Sequence, residues 1–170
     1  MILVLFGLPG VGKTYLGAAI AAEMAIPFYD ADDDLPTDFK HAIVKGKMPA
    51  METRDRFREI LLARIESYAR LSDDLVVAQS LPRNSDRIAI IDRYSSAKLC
   101  LLSCVDDVRI GRLSTRKHWL KASQARRTEA AFEEPSVPHF SVDNSQNGLD
   151  RAKAQISAIV SGLLRDEANR

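Results

Sequence analysis

The chain's 170 residues fall in the usual single-domain range, so one folded unit is the starting expectation. Lysine and arginine number 24 against 23 aspartates and glutamates, a net charge of +1; this excludes a global electrostatic footprint for nucleic acid or anionic membrane, though not a local basic patch. Apolar residues at 46% and charged residues at 28% exclude a disordered chain.

In chain order, Ile2–Phe6 is a continuous apolar run without alternation, the pattern of a strand covered on both faces. It lacks a cationic lead-in and breaks at Gly7, which reads against a secretory signal. A glycine-rich turn over Gly7–Gly12 precedes an Ala-rich helix over Tyr15–Met24, ended near Pro27. Ile26–Asp30 reads as a second strand running into the acidic cluster Asp30–Asp34. Helices are predicted over Pro36–Lys45 and Met51–Leu71, the latter with Phe57, Ile60, Leu61, Ile65 and Tyr68 at helical spacing. Leu75–Gln79 and Lys98–Val105 follow as strands three and four, then a helix over Asp106–Trp119. The basic stretch up to Pro138 has no clean period, His139–Asp143 is a fifth strand, and Leu149–Leu164 a closing amphipathic helix.

Short strands alternating with helices predict right-handed βαβ units and an α/β three-layer sandwich on a parallel sheet of about five strands. No run reaches the roughly 18 apolar residues of a membrane span. Cys100 and Cys104, about 13 Å apart if both lie in one strand, build neither a disulfide framework nor a zinc site. A reduced, cytoplasmic protein is the simplest expectation.

Gly7-Leu8-Pro9-Gly10-Val11-Gly12-Lys13-Thr14 matches G-x-x-x-x-G-K-[ST], with a buried strand before it and a helix after. Glycines let the backbone curl so that successive N–H groups point inward, and the helix N-terminus, which begins by Tyr15, adds partial positive charge. In such a loop Lys13 reaches the β/γ-phosphates and the Thr14 hydroxyl ligates Mg²⁺. The guanine-selective Asn-Lys-x-Asp of GTPases is absent, and strand three carries its acids, Asp73 and Asp74, before it rather than at its end. An acid for the metal must come from elsewhere, and strand two ends in one.

Asp30 and Asp32 lie at the ligand-binding edge of an open α/β sheet. Phosphoryl transfer needs one acid at the Mg²⁺ water shell, the expectation for Asp30, and another to orient the attacking hydroxyl, the expectation for Asp32. In extended backbone two such carboxylates project to the same side. A solvated acidic turn is the competing account; the phosphate loop favours function.

Gly7–Thr14 followed by Phe28-Tyr-Asp-Ala-Asp32 resembles the shikimate kinase/gluconate kinase group of small P-loop kinases. Later stretches resemble the gluconate kinase branch. Asp30-Ala-Asp-Asp-Asp-Leu-Pro36 stands against D-G-D-x-L-H-P, and ungapped register places Gly46, Arg54 and Phe57 on that branch's glycine, arginine and tryptophan. Val77–Leu81 resembles its strand-three motif, with Arg83 close by and Arg87 near a later family arginine. Arg112-Leu-Ser-Thr-Arg-Lys-His-Trp119 resembles its lid motif with one residue deleted, and Phe132-Glu-Glu-Pro135 its L-x-E-P. The departures gather at the expected acceptor pocket: Leu35 replaces a histidine, and Ala78-Gln79-Ser80-Leu81 replaces C-S-A-L. The shikimate branch's triple glycine is absent, which argues against shikimate.

This resemblance implies an ATP- and Mg²⁺-dependent kinase of a small, anionic hydroxyl compound, a sugar acid or polyol. It implies one domain over 1–170 of nucleoside-monophosphate-kinase-like architecture, with an acceptor-binding helical insertion at about 33–72 and a lid at about 112–134. Lid arginines Arg112 and Arg116, four apart on one helix face, would close over the phosphates and stabilise transferring charge; a solvated basic face is the alternative. Arg54 and Arg83 are candidates for gripping an acceptor carboxylate, which a planar guanidinium fork binds bidentately, and Gln79 for lining the acceptor pocket. His118 matches the family's lid histidine. The resemblance also allows a homodimer.

Two alternatives stand beside this expectation. A 5′-hydroxyl kinase of nucleosides or nucleic acids shares the loop, the acid and the lid arginines, but the near-neutral charge and the missing aromatic–basic interleaving read against it. A non-catalytic nucleotide-binding regulatory module is suggested by the altered acceptor pocket and opposed by the retained Lys13, Asp32 and lid arginines.

Overall fold

The computed structural model describes residues 1–115, 120, 122–145 and 149–168. Strand β1 (Ile2–Phe6) is buried along its whole length. Side chains alternate between the faces of a strand, so Ile2, Val4 and Phe6 enter one core and Leu3 and Leu5 the other. A strand with two dry faces belongs in the middle of a covered sheet. There β1 pairs in parallel with β3 (Leu75–Ala78) on one side and β4 (Ala97–Ser103) on the other. With β2 (Phe28–Asp30) and β5 (Phe140–Asp143) at the edges, the five-stranded parallel sheet has the order β2-β3-β1-β4-β5.

Helices cover both faces, as the apolar runs require. On the first face α3 (Met51–Ala69) contributes Phe57, Leu61 and Ile65, and α4 (Asn84–Arg93) contributes Ile90. On the second, α1 (Lys13–Met24) contributes Leu16, Ile20 and Ala21, and α7 (Leu149–Ala168) contributes Ala152, Ile156 and Val160. A third, smaller cluster joins Ile43 of α2 (Thr37–Val44) to Leu113 of α5 (Asp106–Thr115), Leu120, and Ala125 of α6 (Ala122–Glu129). The chain reverses direction across the sheet between β1 and its neighbour β3, the switch point where open α/β sheets bind ligands beyond their carboxyl edge.

Several elements depart from the sequence expectations. Helix α4 is not anticipated at all: its sequence, NSDRIAIIDR, lacks an apolar stripe because one of its buried positions is Arg87. Helix α6 lies inside the stretch read as irregular, its one fully buried apolar residue, Ala125, being too small to mark a face. Strand β2 starts at Phe28 rather than Ile26, because the Ile26 N–H is spent on the Ala21 carbonyl at the end of α1. Strand β4 stops at Ser103, where Asn144 takes its carbonyl, leaving Val105 exposed. After β2 the backbone does not stay extended: Ala31–Asp34 forms one 3₁₀ turn. The predicted helix over Asp106–Trp119 is seen as α5 to Thr115; the remaining positions, 116–119, lie outside the described residues. Among the described residues no helix is long and apolar enough to cross a membrane.

Candidate active site

The loop after β1 is shaped by three glycines with positive φ: Gly7 (140°), Gly10 (91°) and Gly12 (100°). At Gly12 a side chain would also collide with its surroundings, since an added Cβ would stand 2.6 Å from Nδ2 of Asn144. That asparagine, buried after β5, donates from Nδ2 to the Val11 carbonyl at 2.8 Å. Lys13, the first residue of α1, turns its ammonium back along the loop and donates to the carbonyls of Gly7 (2.9 Å) and Leu8 (3.1 Å). The result is a backbone ring with a cation at its rim and a helix N-terminus at its base, the arrangement that cradles phosphate.

The acids lie across the cleft. Asp30 ends β2 and its side chain caps the 3₁₀ turn, accepting from the Asp32 N–H at 3.1 Å. Asp32 sits within the turn, and its Oδ1 accepts from Nε2 of Gln79, at the end of β3, at 3.2 Å. Gln79 is buried, and its Oε1 accepts from the Ser80 N–H, so both ends of its amide are fixed. Asp34 anchors the turn from behind, held by both Nε and Nη2 of Arg64 (2.8 and 3.1 Å) and by the Tyr29 hydroxyl (2.9 Å). The Arg64 fork holds the Asp34 carboxyl below its ordinary range, while burial and the bond to Asp34 push the Tyr29 phenol well above its own. Asp33 is exposed. Alternation in an extended strand therefore does not bring Asp30 and Asp32 together, as the sequence suggested; a capped turn does.

One open cleft runs past the phosphate loop and past Asp30, Asp32 and Gln79. Its near end is lined by Leu8, Pro9, Gly10, Gly12, Lys13 and Thr14, and its waist by Asp30, Asp32, Gln79 and Ser80. The far end is lined by Arg54, Phe57, Arg58, Arg83 and Asp86. Arg58 forms ion pairs with Asp55 (2.9 Å) and Asp86 (3.4 Å). The Nε of Arg54 is buried and has no hydrogen-bond partner among the described residues. Burial pushes the Asp86 carboxyl up from its ordinary value, while Arg58, Arg83 and Arg54 all pull the other way.

Leu113, Leu120, Ala131 and Phe132 roof the cleft. Two buried arginines secure this roof. Arg109 of α5, 1% exposed, joins Asp106 and Glu129 (2.9 and 2.7 Å) and donates to the Pro9 carbonyl at 3.4 Å, tying α6 to the phosphate loop. Arg87 of α4, fully buried, packs against the stacked Phe6 and Phe132 rings (5.0 and 4.7 Å to the centroids) and donates to the carbonyls of Leu81, Pro82 and Glu133. Helix α6 also rests on α2, with Gln124 Nε2 donating to the Val44 carbonyl at 3.0 Å.

A sequence profile of the shikimate kinase family matches residues 9–161. The chain belongs to the shikimate kinase family. Against curated protein sequences it has no significant match. Its fold is similar to that of a gluconokinase from Sinorhizobium meliloti 1021, with 22% identity over 96% of this chain and 95% of that one and a TM-score of 0.77. A sugar kinase from Janibacter sp. HTCC2649 has a TM-score of 0.82 at 21% identity, covering 94% of each chain. Shikimate kinase from Bacteroides thetaiotaomicron has a TM-score of 0.64 at 16% identity, over 95% of this chain and 98% of that one. The fold is thus the α/β P-loop fold that these proteins share. Membership in the shikimate kinase family makes the protein a small-molecule kinase, a phosphotransferase acting on a hydroxyl through a nucleotide-binding P-loop.

Of the residues singled out from sequence, those of the loop from Leu8 to Thr14 other than Val11, with Asp30, Asp32, Arg54, Gln79 and Arg83, line this one cleft. Gly7 and Val11 shape the loop from behind, and Val11 packs its side chain into the second core. Tyr15 projects from α1 with 70% exposure and does not line the cleft. Arg112, expected over the phosphates, lies beside the loop and donates to the carbonyls of Val11 (3.3 Å) and Asn144 (2.9 Å). Arg116 and His118 lie outside the described residues. Sequence reasoning did not single out Asp86, Asn144 or Arg109. An isolated polar residue in a helix or loop gives no periodic signal; only the family's own register would have drawn attention to the turn that holds Asp86.

Proposed function

We propose that the protein transfers the γ-phosphoryl group of ATP to a hydroxyl of a sugar acid, gluconate-like, or of a related polyol. The observation that supports this is that a single cleft is lined by the phosphate loop, by the paired acids Asp30 and Asp32, and by three arginines gathered about Asp86. The nucleotide phosphates lie on the backbone N–H groups of the loop, with Lys13 swinging from its carbonyl partners to the β/γ-phosphates. The acceptor enters from the far end, its anionic group drawn to Arg54, whose buried Nε has no hydrogen-bond partner among the described residues, and to Arg83. Between them Asp32 orients the hydroxyl and takes its proton, its carboxylate held in place by Gln79.

The donor set fits Mg²⁺. The described residues contain no cluster of three His, Cys, Asp or Glu side chains, and Mg²⁺ bound to phosphates needs none, because it keeps several waters and takes only one or two protein ligands. Thr14 would hold the ion directly and Asp30 through water; both line the cleft. When bound, the ion neutralises charge on the β- and γ-oxygens. We assign the stretch 33–72 to acceptor binding and 112–134 to a lid, with Arg112 and Arg116 moving onto the phosphates as it closes over the nucleotide and keeps water out. Free Cys100 and Cys104 suit a reducing compartment, and we read the protein as cytoplasmic.

The deciding experiment is a panel of sugar acids, polyols and nucleosides, each assayed with ATP and Mg²⁺. Phosphorylation of a sugar acid or polyol is expected; turnover of nucleosides or 5′-hydroxyl oligonucleotides alone, or ATP binding without any turnover, refutes the proposal. On the active acceptor, Asp32→Asn lowers kcat by about 10²–10⁴-fold, the range for losing a general base, with ATP affinity nearly intact. Wild-type turnover by this variant removes Asp32 from the mechanism.

A further inference from the structure

The far end of the cleft is not simply a nest of arginines. Asp86, in the first turn of α4, stands among them and faces the same space. Arg58 is spent on two carboxylates, Asp55 outside and Asp86 inside. Arg54 and Arg83 form no ion pair among the described residues. A ligand arriving here meets two available guanidinium forks and, beside them, one carboxylate that accepts hydrogen bonds and repels negative charge.

Burying a carboxyl is costly, and desolvation pushes that of Asp86 up despite three cationic neighbours. An amide or an apolar residue would avoid the cost while leaving Arg58 its bond to Asp55. The ion pair with Arg58, at 3.4 Å, is too long to account for an acid here on the strength of that bond alone. A repulsive group placed beside attractive ones is how a site separates related ligands.

We propose that Asp86 is a specificity-determining residue that sets the charge of the acceptor: it admits a monoanion carrying hydroxyls next to its charged group and turns away dianions. The carboxylate of a monoacid is taken by Arg54 and Arg83, and the neighbouring hydroxyls donate to Asp86. A phosphate monoester in the same place brings close to two negative charges at neutral pH, and its extra charge repels Asp86 more than its neighbouring hydroxyls can offset. This inference rests on the reading of the far end as the acceptor site.

The test compares a hexonate, −1, with a hexitol 1-phosphate of the same carbon number, both keeping a primary hydroxyl at the opposite end, at pH 8; the length difference is common to wild type and variants and cancels in the comparison. Wild type favours the hexonate in kcat/KM. Asp86→Asn, which keeps the shape and removes the charge, moves the ratio toward the phosphate by at least about tenfold, and Asp86→Ser moves it in the same direction. A ratio is unaffected by a general loss of folded enzyme, so a merely structural role for Asp86 would leave it where it was. An unchanged ratio, or a wild type that already favours the phosphate, overturns the proposal. If neither compound is phosphorylated, the kinase reading fails separately, and thermal-shift titration of each compound decides the charge rule: the same reversal of binding preference between wild type and Asp86→Asn upholds it, and its absence overturns it.

Discussion

Replacing Gln79 with glutamate keeps the length and shape of the side chain and the acceptor for the Ser80 N–H, but puts an oxygen where Nε2 now donates to Asp32 across 3.2 Å. Two full charges at that distance repel by about 5 kcal/mol at an effective dielectric constant of about 20. Holding one proton at pH 7 costs a glutamate of ordinary acidity only about 3.7 kcal/mol. Protonation is therefore the cheaper outcome, and the pair shares one proton until about pH 8. Whichever oxygen carries it, Asp32 becomes a poor proton acceptor, because the pair would then have to hold two. Gln79→Glu should accordingly be about tenfold less active than Gln79→Leu at pH 7 and recover toward pH 9, whereas Gln79→Leu, which loses only the positioning bond, keeps the wild-type profile at lower kcat. Stability gives an independent reading with its own sign. The shared proton raises the folded-state ionisation above that of the unfolded chain, so the folding advantage of the Gln79→Glu variant is fully present below about pH 4.3 and lost as pH rises toward about 8. The assays are kcat/KM and urea unfolding across pH 5–9 for the three proteins. A Gln79→Glu enzyme with wild-type activity at pH 7 and an unshifted profile would refute both the proton-accepting role of Asp32 and the working relevance of its bond to Gln79.

Gly12→Ala should destabilise the protein by about 2–4 kcal/mol, combining a strained positive φ with loss of the bond from Asn144 to Val11; a urea-unfolding difference under about 1 kcal/mol would contradict the close approach at that position. The clamp on Asp34 contributes stability above the ordinary carboxylate range, and that contribution is lost as pH falls through the lowered folded value. Wild type and Asp34→Asn should therefore begin to converge as pH falls below about 4 and meet only below the lowered folded value, which unfolding curves at stepped pH will check; a gap that does not shrink as pH falls from about 4 would mean that the clamp is not ionic.

The centre of the sheet was readable because burial on both faces leaves an unmistakable mark: Ile2–Phe6 and Leu75–Ala78 are buried along their whole length, apolar runs that no half-exposed element would carry. Helices α4 and α6 escaped for the opposite reason. Arg87 is fully buried, yet it satisfies its guanidinium on carbonyls from three residues and on two aromatic faces, so an interior position reads as a surface one. Ala125 is sealed against α2 by neighbours that only the folded chain supplies. The 3₁₀ turn at Ala31–Asp34 was hidden inside what looks like an exposed acidic run. Two of those acids have partners far away in sequence, Gln79 for Asp32 and Arg64 for Asp34, while Asp30 caps the turn itself.

The two ends of the cleft differ in what they are made of, and this difference governs how far sequence alone can carry a functional assignment. The loop end is built from backbone: glycines with positive φ and a helix terminus. Such a site tolerates almost any change except at the residues that permit the curl, so its signature is short and local, and the fold that carries it is shared with proteins at 16–22% identity. The end proposed to take the acceptor is built from side chains on α3, on the loop into α4 and on its first turn, Arg54, Arg58, Arg83 and Asp86, while Arg87 bonds to the Leu81 and Pro82 carbonyls of that loop. Each can change singly, and each change alters charge or shape where the acceptor would sit. If the proposed acceptor site is right, swapping the far-end residues as a set, with Arg87 and the Phe6–Phe132 stack left in place, should change the preferred acceptor while nucleotide binding stays intact.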